Sequence, residues 1–254
     1  MTSIHDYVTQ MGEADPAVAF KAFKDLQETV ARCSTPGHGE RAATAAALAA
    51  EFTAKTAPAK DAEGRDIPPR SVHSAKVREQ VARLLELVAG APEVAVLAAA
   101  MSDLEVREAA RRVLAVIPGP EAADALIAAL GDLGPEFLIG VVAALGRHKE
   151  HGAAQEALRR TTGDECPALR ITAVEAQACS LDPGNDAFMA DAAGKVSCLR
   201  FRGRAHAARL RLAEALQRTG QKAAARRICQ AVRSSDAPAP QKDAAERMLK
   251  AVAS

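Results

Sequence analysis

The segment AVLAAAMSDLEVREAARRVLAVIPGPEAADALIAALGD, residues 95–132, carries the pattern that decides the fold. An apolar helix ends at Ser102-Asp103, a second helix opens at Val106-Arg107, and Pro118-Gly119-Pro120 supplies the next turn. The second helix has apolar residues at helical spacing: Ala109, Ala110, Val113 and Leu114. The segment therefore predicts a pair of helices joined by a short turn.

The same pattern returns twice further along the chain. Residues 125–150 and 157–183 each contain an apolar helix, an aspartate in the turn and a second helix. The two turn aspartates are Asp132 and Asp164. Arg107 and Arg170 are 63 residues apart, which is two periods of about 31 residues each. Because each unit buries its apolar face against its neighbours, the repetition predicts stacked helix pairs with an extended surface.

Over residues 75–183 the chain resembles HEAT-repeat proteins, specifically the compact variant named after phycobilisome lyases. The resemblance rests on the apolar helix, the turn aspartate, the apolar-Arg pair and the Ala-rich second helix. It implies an all-α fold, a right-handed α-solenoid of stacked antiparallel helix pairs. No segment sustains the period-two alternation of a strand, so we expect this α-α superhelix to contain no β-sheet.

The resemblance also implies roles for particular residues. The turn Asp and the helix Arg serve the architecture of the repeat, which assigns structural roles to Asp103, Arg107, Asp164 and Arg170. The middle unit has Leu138 at the arginine position and is expected to lack this contact. In such repeats the helix after the turn lines the concave side, which makes four residues candidates for binding a partner: Glu108, Arg111, Arg112 and Glu175.

We predict one α-solenoid domain over residues 1–254. N-terminal helices occupy 1–56, a polar loop with three prolines occupies 57–71, HEAT-like repeats occupy 72–183, and tetratricopeptide-like helix pairs occupy 184–254. The tetratricopeptide-like unit places small and apolar residues at fixed positions: Leu212, Ala213, Leu216, Gly220, Ala225, Cys229 and Val232.

Near the N-terminus, Asp15-Pro16 predicts a helix start, because Asp caps a helix and Pro suits its first position. The predicted apolar stripe of that helix is Phe20, Phe23, Leu26, Val30 and Cys33.

Composition narrows the compartment and the chemistry. The five cysteines are widely spaced with no CxxC pair, which argues against a disulfide framework or a zinc site and fits a reducing cytoplasm. The N-terminal segment has no apolar core of a signal peptide, and no stretch approaches the roughly 18 apolar residues of a membrane span. We therefore expect a cytoplasmic protein without membrane insertion.

Charge is distributed unevenly along the chain. Residues 195–233 contain eleven basic residues and one acid, Glu214, a net charge of +10 that leaves −9 for the remainder of a chain whose total is +1. At about 100° per residue, Arg200, Arg204, Arg211 and Arg218 fall within about 40° of one another on a helix. Arg226, with Lys222 and Arg233, repeats the arrangement on the next helix.

Four interpretations of these cations remain open. They are a solvated face, a binding surface for an acidic protein partner, a nucleic-acid surface, or a surface for anionic lipid. The counter-charge could also come from the acidic remainder of this chain itself. Nucleic acid is less favoured than protein, because phosphate contacts need only positive charge but base stacking needs aromatic residues, which make up 3% of the chain.

No catalytic set is recognisable in the sequence. His148 and His151 lie at a turn where no nearby acid or Cys completes a tetrahedral ligand set, and Cys166 sits at a predicted helix N-terminus without a histidine close in sequence. His206 lies on the Arg-rich helix and is expected at the surface or at its rim. We predict a non-enzymatic helical-repeat scaffold that binds a protein, with no catalytic residue, cofactor or metal. The alternatives are an accessory or chaperone subunit of a lyase-like enzyme, and a nucleic-acid binder that uses residues 195–233.

Overall fold

The computed structural model describes residues 2–131 and 134–253, so the predicted turn residue Asp132 lies outside it. The described residues form fourteen α-helices and one short hairpin, and the predicted all-α class is confirmed. The elements are α1 (Ile4–Met11), α2 (Pro16–Cys33), α3 (Arg41–Thr53), β1 (Ala59–Lys60), β2 (Asp66–Ile67), α4 (Ala75–Val88), α5 (Val94–Ala100), α6 (Arg107–Leu114), α7 (Pro120–Ala128), α8 (Pro135–Leu145), α9 (Gly152–Thr161), α10 (Pro167–Gln177), α11 (Asn185–Gly194), α12 (Leu199–Arg218), α13 (Lys222–Ser234) and α14 (Ala239–Ala253).

Contacts along the chain cluster into two compact units, residues 1–125 and 126–254. The first unit contains α1 to α6 and the second contains α8 to α14, while α7 lies across the boundary. The single domain over 1–254 stays a prediction. Among the helices that the structure describes, none is both long and apolar enough to cross a membrane.

Local sequence explains where the first helices begin. Ser3 caps α1, since its hydroxyl accepts a hydrogen bond from the Asp6 backbone N–H at 3.1 Å. Asp15 caps α2 by accepting from the Ala17 N–H at 2.8 Å, and Pro16 occupies the first helical position. The Asp15-Pro16 prediction is thus confirmed.

The predicted apolar stripe of α2 is wrong at one position, Phe20. Leu26, Val30 and Cys33 are buried, but Phe20 is 70% exposed. At 100° per residue Phe20 lies about 120° around the helix from Leu26, outside the buried face. Ala22, about 40° from Leu26, is buried there instead.

The expectation of no β-strand is wrong within the predicted loop 57–71. Strands β1 and β2 pair there as an antiparallel hairpin. Asp61 builds its turn, because Oδ1 accepts from the N–H groups of Glu63 and Arg65, and Gly64 adopts a φ of +78°. Strands of two residues are too short to display a period-two alternation, so the sequence pattern gave no sign of them.

The predicted repeat turns are built in two ways. The Asp103 carboxylate accepts from Arg78 of α4 at 2.7 Å, and the Arg107 backbone N–H donates to the Asp103 carbonyl at 2.8 Å. In the third repeat the Arg170 guanidinium donates to the Asp164 carbonyl at 2.7 and 3.0 Å. Arg170 lies in the first turn of α10, which begins three residues earlier, at Pro167.

Helix α12 is the longest described helix and the centre of the second unit. It packs against α10, α11, α13 and α14. The three-residue connection to α13 is made possible by Gly220, whose φ is +85°. The apolar positions predicted for this helix pair are buried: Leu212, Ala213, Leu216, Ala225, Cys229 and Val232. Because one face of α12 is committed to this core, most of its arginines are left at the edges and on the opposite side, whereas Arg209 is buried.

Candidate partner-binding surface

About half of the basic residues in 195–233 are tied to carboxylates of the second unit. Arg204 makes a bidentate pair with Glu175 at 2.9 and 2.7 Å, and this hydrogen bonding raises the pKa of Arg204. Among the residues that the structure describes, the pairs are Lys195–Asp191, Arg202–Asp236, Arg204–Glu175, Arg209–Asp186 and Arg218–Glu214. Part of the +10 charge is therefore neutralised internally.

The other basic residues of this segment are exposed and unpaired. Within the described residues, no carboxylate oxygen lies within 4.0 Å of their charged groups. They are Arg200 and Arg211 of α12 and Lys222, Arg226, Arg227 and Arg233 of α13. We call the α12–α13 pair with these six side chains the cationic hairpin.

The predicted stripe on α12 is thus only partly available to a partner. Arg200 and Arg211 are unpaired, and Arg218 makes only a long contact with Glu214 at 3.7 Å between two exposed side chains. Such exposed pairs contribute little. Arg204 is engaged by Glu175. Beside Arg200, Leu199 is 65% exposed and offers an apolar contact next to the charge.

The second predicted surface is more strongly engaged within its own unit. Arg111 donates to Glu108 at 2.8 Å. Arg112 reaches from α6 to α4, where it binds Glu79 at 2.9 Å and Glu86 at 3.1 Å. Burial opposes the charge of Arg112, but these hydrogen bonds outweigh it and raise the pKa of the guanidinium. Arg112 therefore joins two helices of the first unit.

His206, expected at the surface, is buried instead, with 2% exposure. It lies on the core side of α12, where Arg209 Nη1 approaches its Nδ1 at 3.4 Å and Asp236 Oδ1 approaches its Nε2 at 3.6 Å. Burial lowers the pKa of His206, the charge of Arg209 lowers it further, and Asp236 partly offsets both.

We expect this histidine to make the protein less stable in mild acid. The folded protein binds the His206 proton more weakly than the unfolded chain, whose value is near 6.5, so stability is present above that pH and falls as pH decreases through it. Urea unfolding of wild type and His206→Gln between about pH 7.5 and 5.5 measures the effect. The variant should lose less stability over that window, and parallel losses in the two proteins would contradict the assignment.

His151 and Cys166, which the sequence offered as possible ligand or reactive residues, lie at the N-caps of two helices. His151 caps α9 by accepting from the Ala154 N–H at 3.2 Å. Cys166 is the N-cap residue of α10, and its own N–H donates to Asp164 at 2.7 Å. Cys198, which drew no attention in the sequence, is the exposed N-cap residue of α12. Backbone N–H groups of Phe201 and Arg200 and the Arg200 charge lower the pKa of its thiol.

A cluster of Cys33, His38 and Glu40 was also missed by the sequence reasoning. Their ligating atoms lie within 4.8 Å of one another, and the part of the chain that the structure describes holds no other such group of three. The spacing C-x4-H-x-E was the available signal, but the search for CxxC pairs passed over it.

Comparisons with known proteins give a fold likeness only. No family model and no curated protein matches the chain. Among solved structures, the chain is similar to the complex of CpcE and CpcF of phycocyanin lyase from Nostoc sp. PCC7120. The identity is 14%, the alignment covers 99% of this chain and 95% of the other, and the TM-score is 0.48. At this identity and TM-score the likeness assigns neither an activity nor a partner.

Proposed function

We propose that the protein is a non-enzymatic helical scaffold that binds an acidic protein partner through the cationic hairpin. The observation that carries this proposal is the set of six exposed, unpaired basic side chains on two consecutive helices. Like charges so arranged repel one another, and that repulsion is relieved when an acidic surface covers them. Such charge complementarity raises the association rate and selects the partner.

A folded protein suits this surface better than a single-stranded nucleic acid. The aromatic residue of the hairpin, Phe201, is half-buried, and the Arg204 guanidinium lies 5.6 Å from its ring centroid. One face of its ring is therefore covered by Arg204, which limits stacking on a base. Leu199, in contrast, is exposed beside Arg200 and could enter an apolar pocket of a protein.

The test is affinity purification from the source cell, analysed by mass spectrometry and by absorbance. The bait variant Arg200/Arg211/Arg218→Glu reverses the two unpaired arginines of α12 and the weakly paired Arg218, and it spares Arg204, whose pair with Glu175 is structural. The matched control, Arg147/Lys149/Arg160→Glu, has the same change in charge at three exposed positions of the second unit outside the hairpin. Far-UV circular dichroism verifies that both variants are folded.

We expect wild type and the control to recover an acidic protein that the α12 variant loses. Elution of this protein at raised salt would support the charge mechanism. A protein retained equally by the α12 variant would exclude the stripe as the binding surface. Recovery of nuclease-sensitive material would favour the nucleic-acid alternative, and coloured material would favour an accessory subunit of a lyase-like enzyme.

A further inference from the structure

The connection between α2 and α3 brings three metal-binding side chains together. Cys33 is the last residue of α2 and is buried, while His38 and Glu40 follow in the exposed connection. Cys33 Sγ lies 3.8 Å from Glu40 Oε2, and one ligand atom from each of the three residues lies within 4.8 Å of the other two.

The backbone of this connection is held in place by its own hydrogen bonds. The Arg41 guanidinium donates to the Ser34 carbonyl and so joins the two ends of the connection. Gly37 has a φ of +82°, which allows the chain to reverse, and the His38 N–H donates to the Thr35 carbonyl at 3.1 Å. The Glu40 N–H approaches His38 Nδ1 at 3.3 Å, which keeps the imidazole beside the carboxylate. The three side chains are thus already neighbours, and ion binding would exchange the Glu40 N–H contact of the imidazole for a bond to the metal.

We propose that Cys33, His38 and Glu40 form a binding site for a divalent transition-metal ion of the zinc class. Thiolate, imidazole and carboxylate are the donors that Zn²⁺ uses in proteins, at about 2.3, 2.0 and 2.1 Å. Two donors of a tetrahedral ion with these bond lengths are about 3.5 Å apart. The Sγ–Oε2 separation of 3.8 Å is close to this value, and the two distances to the His38 nitrogen, both within 4.8 Å, must shorten by about 1.3 Å at most.

The donor set also indicates which ions the site excludes. A thiolate disfavours the hard ions Mg²⁺ and Ca²⁺, which prefer oxygen ligands. Three protein donors leave one tetrahedral position for water or for a ligand from another molecule. Binding releases the Cys33 thiol proton, so the affinity rises with pH. The bound ion would link the end of α2 to the start of α3.

The experiment uses Co²⁺ as a spectroscopic probe on the full, reduced chain. A thiolate ligand gives a charge-transfer band in the near ultraviolet, and tetrahedral Co²⁺ gives intense visible bands. The test variants are Cys33→Ser, His38→Ala and Glu40→Gln. The matched controls are Cys198→Ser, which removes an exposed thiol at another helix end, and His5→Ala, which removes an exposed histidine of α1.

We expect one equivalent of Co²⁺ to bind with both bands and one equivalent of Zn²⁺ to displace it. Each test variant should bind at least about tenfold more weakly, and the controls should match wild type. His38 and Glu40 are exposed, so these two variants remain informative if Cys33→Ser fails to fold. Absence of the charge-transfer band, or its persistence in His38→Ala, would overturn the proposal.

Discussion

Replacing Arg78 with Met should destabilise the first unit by about 3–5 kcal/mol. The Arg78 side chain is 2% exposed, and each of its nitrogens has a partner: the Phe52 carbonyl at 2.9 Å, the Ser71 hydroxyl at 2.9 Å and the Asp103 carboxylate at 2.7 Å. Met fills much of the volume but donates no hydrogen bond. It removes the guanidinium donor from the Phe52 carbonyl and the closest cation from the Asp103 carboxylate, which keeps the Glu105 N–H at 3.1 Å and Lys55 at 3.5 Å.

The loss can be measured selectively because Tyr7 is the only tyrosine and the chain has no tryptophan. Tyrosine fluorescence during urea unfolding therefore reports on the first unit, which contains Tyr7 in α1. The control is Arg83→Met on the same helix, where the side chain is 67% exposed and its contact with Glu79 is 3.5 Å. We expect it to change stability by less than about 0.5 kcal/mol. An equally small loss of stability for Arg78→Met would contradict this prediction. It would mean that water replaces the hydrogen bonds of the guanidinium.

A comparable loss, about 3 kcal/mol, is expected in the second unit for Arg209→Met. Arg209 is 3% exposed and binds Asp186 of α11 through two hydrogen bonds of 2.6 and 3.0 Å. Without it the partly buried Asp186 carboxylate has lost its cation. Because the Arg209 charge also lowers the pKa of His206, the variant should show a weaker dependence of stability on pH near 6.5.

Arg211→Met is the matched control, since Arg211 lies two residues further along α12 but is exposed and unpaired. Urea unfolding followed by circular dichroism should show a change below about 0.5 kcal/mol for Arg211→Met. The proposed function assigns Arg211 to partner binding, so this variant should weaken the partner interaction without unfolding the protein. Equal stability losses at the two positions would contradict the distinction between the buried and the exposed arginine.

Helix positions were predictable because they depend on short-range patterns. Ala109, Val113 and Leu114 of α6 are buried at helical spacing as predicted, and Asp15-Pro16 starts α2 through local hydrogen bonds. The predicted burial of Phe20 was wrong because apolar character alone does not define the width of a buried helix face. The hairpin in 57–71 was not predicted because its two-residue strands are specified by the turn around Asp61 and not by an alternating pattern.

The candidate sites depend on partners that are distant in sequence. Helical spacing aligned Arg204 with Arg200 and Arg211, but no local pattern shows that Glu175, 29 residues earlier, neutralises Arg204. Arg209 was counted among the cations of the segment, and only packing against α11 shows that it is a buried structural group. Cys33, His38 and Glu40 are the opposite case, because all three lie within eight residues and their spacing was readable in the sequence.

The two units carry net charges of opposite sign, which the total net charge of the molecule conceals. Residues 1–125 carry 14 basic and 18 acidic residues, a net charge of −4, whereas residues 126–254 carry 19 and 14, a net charge of +5. A total of +1 provides almost no long-range repulsion between molecules, while regions of opposite sign on different molecules attract at low ionic strength. Added salt screens that attraction at concentrations that do not affect the packed cores. The solubility of the protein should therefore increase as salt is added to a low-salt solution.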